Sequence, residues 1–144
     1  MTLDDLARAL DGAVAAGRIG TPVALRVHAV LPAGGDLVAA LAALMRRLAE
    51  PLFGPPGRLT ARRDADERQL HALASYPSGP TVLVTLAATR SRDPSLELLV
   101  VGNHGVIRLE GGECFAGLPP SADAGAAEVE RYRELVAAGL HGTV

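Results

Sequence analysis

The chain has 144 residues, 49% of them hydrophobic and 3% aromatic, and a formal net charge of −2. This is the length of one ordinary domain, with enough apolar residues to build a core from Ala, Val and Leu. Trp is absent and there is no basic excess, so the chain lacks both the aromatic platforms and the phosphate-binding charge of a nucleic-acid partner.

All 14 basic residues are Arg. A chain without Lys forms no Schiff base and has no P-loop lysine, and its Arg, Ala and Gly bias reads as genomic rather than chemical. Cys114 is the single cysteine, which excludes an intrachain disulfide and a cysteine-based metal cluster. The N-terminus, Met1-Thr2-Leu3-Asp4-Asp5, is acidic and has no apolar signal core. No apolar stretch is long enough to span a bilayer, and the expectation is a cytoplasmic protein off the membrane.

In chain order, Thr2 and Asp5 form a capping-box pattern ahead of a helix with Leu3, Leu6, Leu10 and Val14 on one face. Gly17 is its expected stop. Val23 to Leu31 alternates as a strand. Its Val23, Leu25, Val27, Ala29 and Leu31 point one way, and Ala24, Arg26, His28 and Val30 the other. Asp36 caps a second helix striped by Leu37, Leu41, Leu44, Leu48 and Leu52, which Gly54-Pro55-Pro56-Gly57 ends. The pattern then becomes β. Strands are expected at Arg58–Arg63, Arg68–Tyr76, Thr81–Thr89, Leu96–Val101 and Val106–Glu110. Thr81–Thr89 is apolar on both faces and should be central. The Gly102-Asn103-His104-Gly105 tip suits a tight hairpin through residues that tolerate positive φ. After a linker at Leu118-Pro119-Pro120, a last helix begins at Asp123, with Val129, Tyr132, Val136 and Leu140 on one face.

This order predicts a single α+β domain over residues 1–144. Its sheet is mostly antiparallel, with helices packed on one face and the other face open for association. The open face calls for cover, most simply by a second copy in a two-fold homodimer.

Candidate chemistry is sparse. Arg26 and His28 share the mixed face of the first strand, and His71 lies on another strand of the same sheet. The three are candidate ligand-binding residues, and the two histidines, if they converge, could bind an anion or a metal, set against a plain reading as solvated or interfacial side chains. No catalytic residue and no metal ligand is assigned, because His-x-x-His and His-x-x-x-His spacings are absent. His104 reads as a turn residue, His141 as terminal, and Cys114 has no base beside it in sequence. The run Arg62, Arg63, Asp64, Asp66, Glu67 and Arg68 reads as a solvated hairpin end, since interleaved acids spoil a phosphate site.

Three segments resemble the C-terminal α+β domain of the Gfo/Idh/MocA oxidoreductases. They are Ala16-Gly17-Arg18-Ile19-Gly20-Thr21-Pro22-Val23, then Gly34-Gly35 with the long helix and Gly54-Pro55-Pro56-Gly57-Arg58-Leu59-Thr60-Ala61, then Val101-Gly102-Asn103-His104-Gly105-Val106-Ile107-Arg108-Leu109. The match runs over roughly residues 10 to 112. It implies that fold, with the Rossmann domain absent because too little chain precedes Thr21. The departures matter as much. The family's catalytic lysine has no counterpart in a chain without Lys. The stretch where the family places an Asp and a His is Leu37 to Leu44, wholly apolar and unable to move a proton. The resemblance therefore implies a stand-alone, non-catalytic dimerisation or ligand- or partner-binding module that binds no cofactor alone. The alternative is the substrate-side subunit of a split oxidoreductase, with NAD(P) entering only through a separate Rossmann-type subunit. An independent isomerase or lyase using the histidines is a third class.

Overall fold

The computed structural model describes residues 2–64, 68–112 and 126–140, with backbone alone at 126 and 138–140. Asp66, Glu67, Cys114, the linker at Leu118-Pro119-Pro120, the helix start at Asp123 and His141 lie outside the described residues.

Helix α1 (Leu3–Ala15) opens with the expected capping box. The Asp5 amide donates to Thr2 Oγ1 at 3.1 Å and the Thr2 amide donates to Asp5 Oδ2 at 2.9 Å, so two donors at the helix end are satisfied reciprocally. Leu3, Leu6 and Leu10 are buried. Ala16 is the C-cap, and Gly17 follows with φ 77°, a left-handed residue that turns the chain out of the helix.

Strand β1 (Pro22–Leu31) keeps its alternation at the centre, with Leu25, Val27, Ala29 and Leu31 buried and Arg26 and His28 exposed, but at its ends Val23 is exposed and Val30 buried, against expectation. Asp36 then caps α2 (Leu37–Leu44), its Oδ1 accepting from the Ala39 amide at 3.1 Å. The expected leucine stripe is instead an all-round apolar helix, with every residue from Leu37 to Met45 buried, because α2 lies between the sheet and the last helix. Downstream the helix widens into a π turn at Met45–Ala49 before α3 (Glu50–Phe53), and the Glu50 amide reaches back to the Met45 carbonyl. Periodicity gave no warning of this. Pro51 has no N–H to offer the carbonyl four residues earlier, and the widened turn absorbs the mismatch.

The sheet is completed by β2 (Arg58–Arg63), β3 (Gln69–Ser75), β4 (Thr81–Ala88), β5 (Ser95–Gly102) and β6 (Val106–Gly111). Its order is β2-β3-β4-β1-β5-β6. β1 and β4 run parallel at the centre, and the other four pairs are antiparallel. β4 is central, as its two-sided apolar pattern implies. α4 (Ala126–Leu140) packs on β2 and α2 through Val129, Tyr132 and Val136.

The β5–β6 hairpin forms at Gly102–Gly105, closed by the Gly102 amide on the Gly105 carbonyl at 2.8 Å. Its glycines are needed for a different reason from the expected one, since neither takes positive φ. The tip is docked on the turn before β1. The Thr21 amide donates to Asn103 Oδ1 at 2.9 Å and the His104 amide to the Ile19 carbonyl at 2.8 Å. A Cβ on Gly102 would stand 2.1 Å from the Ile19 carbonyl oxygen, so only glycine fits there.

Alternate strand residues on one face are buried under α1, α2 and α4, while the opposite face is not covered by any described element. Among the described residues the core side chains are hydrophobic, with the phenols of Tyr76 and Tyr132 as its polar groups, and no helix is long and apolar enough to cross a membrane.

Candidate functional site

Strand register places the three candidate residues on the uncovered face. His28 pairs with Thr85 of β4 on one side and Glu97 of β5 on the other, and His71 pairs with Thr85 from β3. Arg62 of β2 and Glu110 of β6 complete the row. Read across the sheet it is Arg62, His71, Thr85, His28, Glu97, Glu110. The next row is Thr60, Leu73, Leu83, Arg26, Leu99, Arg108.

Arg26 and His28 share a cleft of about 240 Å³ with Leu83, Thr85, Glu97 and Leu99. His71 belongs to a neighbouring hollow of about 340 Å³ with Thr60, Arg62, Leu73 and Leu83. The two histidines therefore stand two strands apart, about 10 Å between backbones, with Thr85 and Leu83 as the ridge between them. They face the same way but do not share one hollow. Among the described residues no three His, Cys, Asp or Glu side chains come close enough together to hold a metal ion.

Glu97 is engaged by Arg108 at 2.8 Å, and Arg108 also meets Glu110 at 3.3 Å. All three side chains are about half exposed or more, so these pairs contribute about 0–1 kcal/mol to folding and orient charge more than they stabilise.

A second cavity, of about 760 Å³, escapes a linear reading. It lies where the parallel strands β1 and β4 end, between the Gly34-Gly35 turn, Thr89, Ser91, Arg68 and Arg90. Arg68 closes the mixed-charge run, while Arg90 is 22 positions further on. Only the pairing of β3 with β4 brings them to one rim. The sole local signal was a pair of glycines between a strand and a capped helix.

Elsewhere, Asp36 ties α2 to α4 through an ion pair with Arg133. Burial alone would raise its carboxyl, but the Ala39 amide and Arg133 outweigh that and hold it below the usual carboxylate value. Tyr76 and Tyr132 are buried, and desolvation pushes both phenols up, Tyr76 to about 12.

No family model matches the chain, and no curated protein does. Solved structures do. A protein provisionally assigned as a dehydrogenase in Thermotoga maritima superposes with a TM-score of 0.66 at 14% identity, over 96% of this chain and 60% of that one. The WlbA dehydrogenase of Bordetella pertussis, solved with NADH and UDP-GlcNAcA, gives 0.65 at 13% identity, over 95% and 58%. A protein provisionally assigned as a myo-inositol dehydrogenase in Sinorhizobium meliloti gives 0.58 at 16%, over 88% and 50%. The chain thus spans 50 to 60% of the length of these structures. At such identities the likeness concerns fold, and on that ground the chain has the fold of Gfo/Idh/MocA-type dehydrogenases.

Proposed function

We propose that this chain is a non-catalytic module, derived from a Gfo/Idh/MocA-type dehydrogenase, that pairs with a second copy through its open sheet face. The observation that carries the reading is the pattern on that face. A two-fold axis parallel to the strands, midway between β4 and β1, lays β2 over β6, β3 over β5 and β4 over β1 of the second copy. Arg62 then meets Glu110, His71 meets Glu97, and Leu73 meets Leu99. The carboxylates of the face lie on the β5–β6 side, while Arg58, Arg62 and His71 occupy the β2–β3 side without an acid. Such self-complementarity is what an isologous interface requires.

Size supports the same reading. Six strands about 4.8 Å apart and about 20 Å long cover roughly 600 Å² in projection, near the about 800 Å² that each partner of a standard interface contributes. Leu73 and Val106 are 46% and 58% exposed on this face, and burying them favours the dimer. Arg26 and His28 sit beside the axis and, with His71, line the interface as its ligand-binding groups. Lysine is absent and Leu37–Leu44 is apolar, so the proton-transfer groups that the resemblance would place there are missing, which supports the non-catalytic reading. Replacing Leu73 and Leu99 by Glu should convert a dimer to a folded monomer in light scattering with an unchanged circular dichroism spectrum. A wild-type chain that is monomeric at micromolar concentration would refute the reading.

The matched dehydrogenases are longer than this chain, which favours one alternative. The chain would then be the substrate-side subunit of a split NAD(P)-dependent oxidoreductase. That reading predicts NAD(P)H turnover only when a Rossmann-type subunit is supplied, and failure of the two chains to co-purify counts against it.

A further inference from the structure

We infer a small-oxyanion site, for a phosphate monoester or a carboxylate, at the ends of β1 and β4. It lies off the association face and does not depend on the reading above.

The rim is assembled by backbone bonds between distant segments. The Ala88 amide donates to the Arg68 carbonyl at 2.9 Å, which fixes Arg68 at the end of β4. The Thr89 amide donates to the Leu31 carbonyl at 3.2 Å, which fixes Thr89 at the end of β1. Crevices beyond the carboxyl ends of parallel strands are where α/β sheets gather ligands, and β1–β4 is the parallel pair of this sheet.

The charged side chains in the described lining of the 760 Å³ cavity are of one sign. Arg68 and Arg90 line it, and the described lining contains no carboxylate. Neither guanidinium is in an ion pair among the described residues. Two of the described acids near the rim are engaged otherwise. Asp64 Oδ1 accepts from the Arg68 and Gln69 amides at 2.8 and 3.2 Å. Asp36 is held by the Ala39 amide and by Arg133. Two guanidiniums on one rim repel each other, and an anion between them removes that cost while accepting from both planar forks. Thr89 and Ser91 hydrogen-bond to each other through their hydroxyls at 2.9 Å, which leaves one of the two O–H groups to donate outward.

Gly34-Gly35 keeps the opposite wall low. Gly34 has φ 83°, and a Cβ on Gly35 would stand 3.1 Å from both Leu31 and the Pro32 carbonyl. At the start of α2 the Asp36 side chain and carbonyl take the amides of Ala39 and Ala40, and the recognition proposed here rests on Arg68, Arg90 and one hydroxyl of the Thr89–Ser91 pair.

Calorimetric titration of the 144-residue chain with inorganic phosphate, phenyl phosphate and acetate tests this. Phosphate and phenyl phosphate binding with weak acetate binding assigns a phosphate ester. Acetate binding equal to phosphate assigns a carboxylate. Either result supports the site if Arg68→Gln and Arg90→Gln each weaken binding by about tenfold, the size expected for one charge-assisted contact, while Arg18→Gln, remote from the cavity, does not. No binding of any probe at millimolar concentration, or binding indifferent to both cavity variants, overturns it.

Discussion

Tyr76 shows how a single side chain reports the state of the core. Its hydroxyl is buried without a hydrogen-bond partner among the described residues, and its ring meets Phe53 with centroids 5.3 Å apart. Burial first, and Glu50 second, push its phenol to about 12. A phenol raised on folding contributes stability that is intact below the ordinary value of 10 and is lost as pH rises from there through about 12. Both tyrosines of the chain are raised in this way. Absorbance titration of the folded protein should therefore lack a tyrosinate step at pH 10, and urea-unfolded protein should display it. Tyr76→Phe removes an unpaired buried hydroxyl and should leave stability unchanged or raise it by about 1 kcal/mol in urea melts. Asp36 acts in the opposite sense. Its carboxyl is depressed, so its contribution is present above about pH 4 and fades as pH falls through the lower folded value. Asp36→Ala should cost about 1 kcal/mol through the lost cap, and Asp36→Asn less.

Among the elements, what was local could be read from the chain. The Thr2–Asp5 capping box, the Asp36 cap and the alternation from Leu25 to Ala29 each depend on neighbours a few residues away, and each is present as expected. What depends on distant partners could not be read. The π turn follows from the meeting of Pro51 with a helix that is buried all round. The need for glycine at 102 comes from the Ile19 carbonyl, more than 80 residues earlier. Gly102→Ala should therefore destabilise by more than about 2 kcal/mol, since backbone must move to admit the methyl group. Gly112→Ala, with nothing within 4 Å of the added carbon, is the matched control in thermal melts. Leu41 is fully buried in α2, and Leu41→Ala should cost about 2–5 kcal/mol.

At the scale of the whole molecule, the sheet order decides which candidate residues meet. Arg26, His28 and His71 could be assigned to one face from alternation alone, but the interposition of β4 between β3 and β1 separates the two histidines. The same order brings Arg68 and Arg90 together, although interleaved acids made the first look like part of a solvated turn. It also puts Arg62 and His71 on one margin of the open face, and Glu97 and Glu110, both engaged by Arg108, on the other. The central claim is that this face meets its own copy, and a charge swap tests it most directly in sedimentation equilibrium. Wild type should show twice the 14.8 kDa chain mass. Arg62→Glu should weaken the dimer, and Arg62→Glu combined with Glu110→Arg should restore it. A monomeric wild type, or a double variant no tighter than Arg62→Glu alone, would contradict the account.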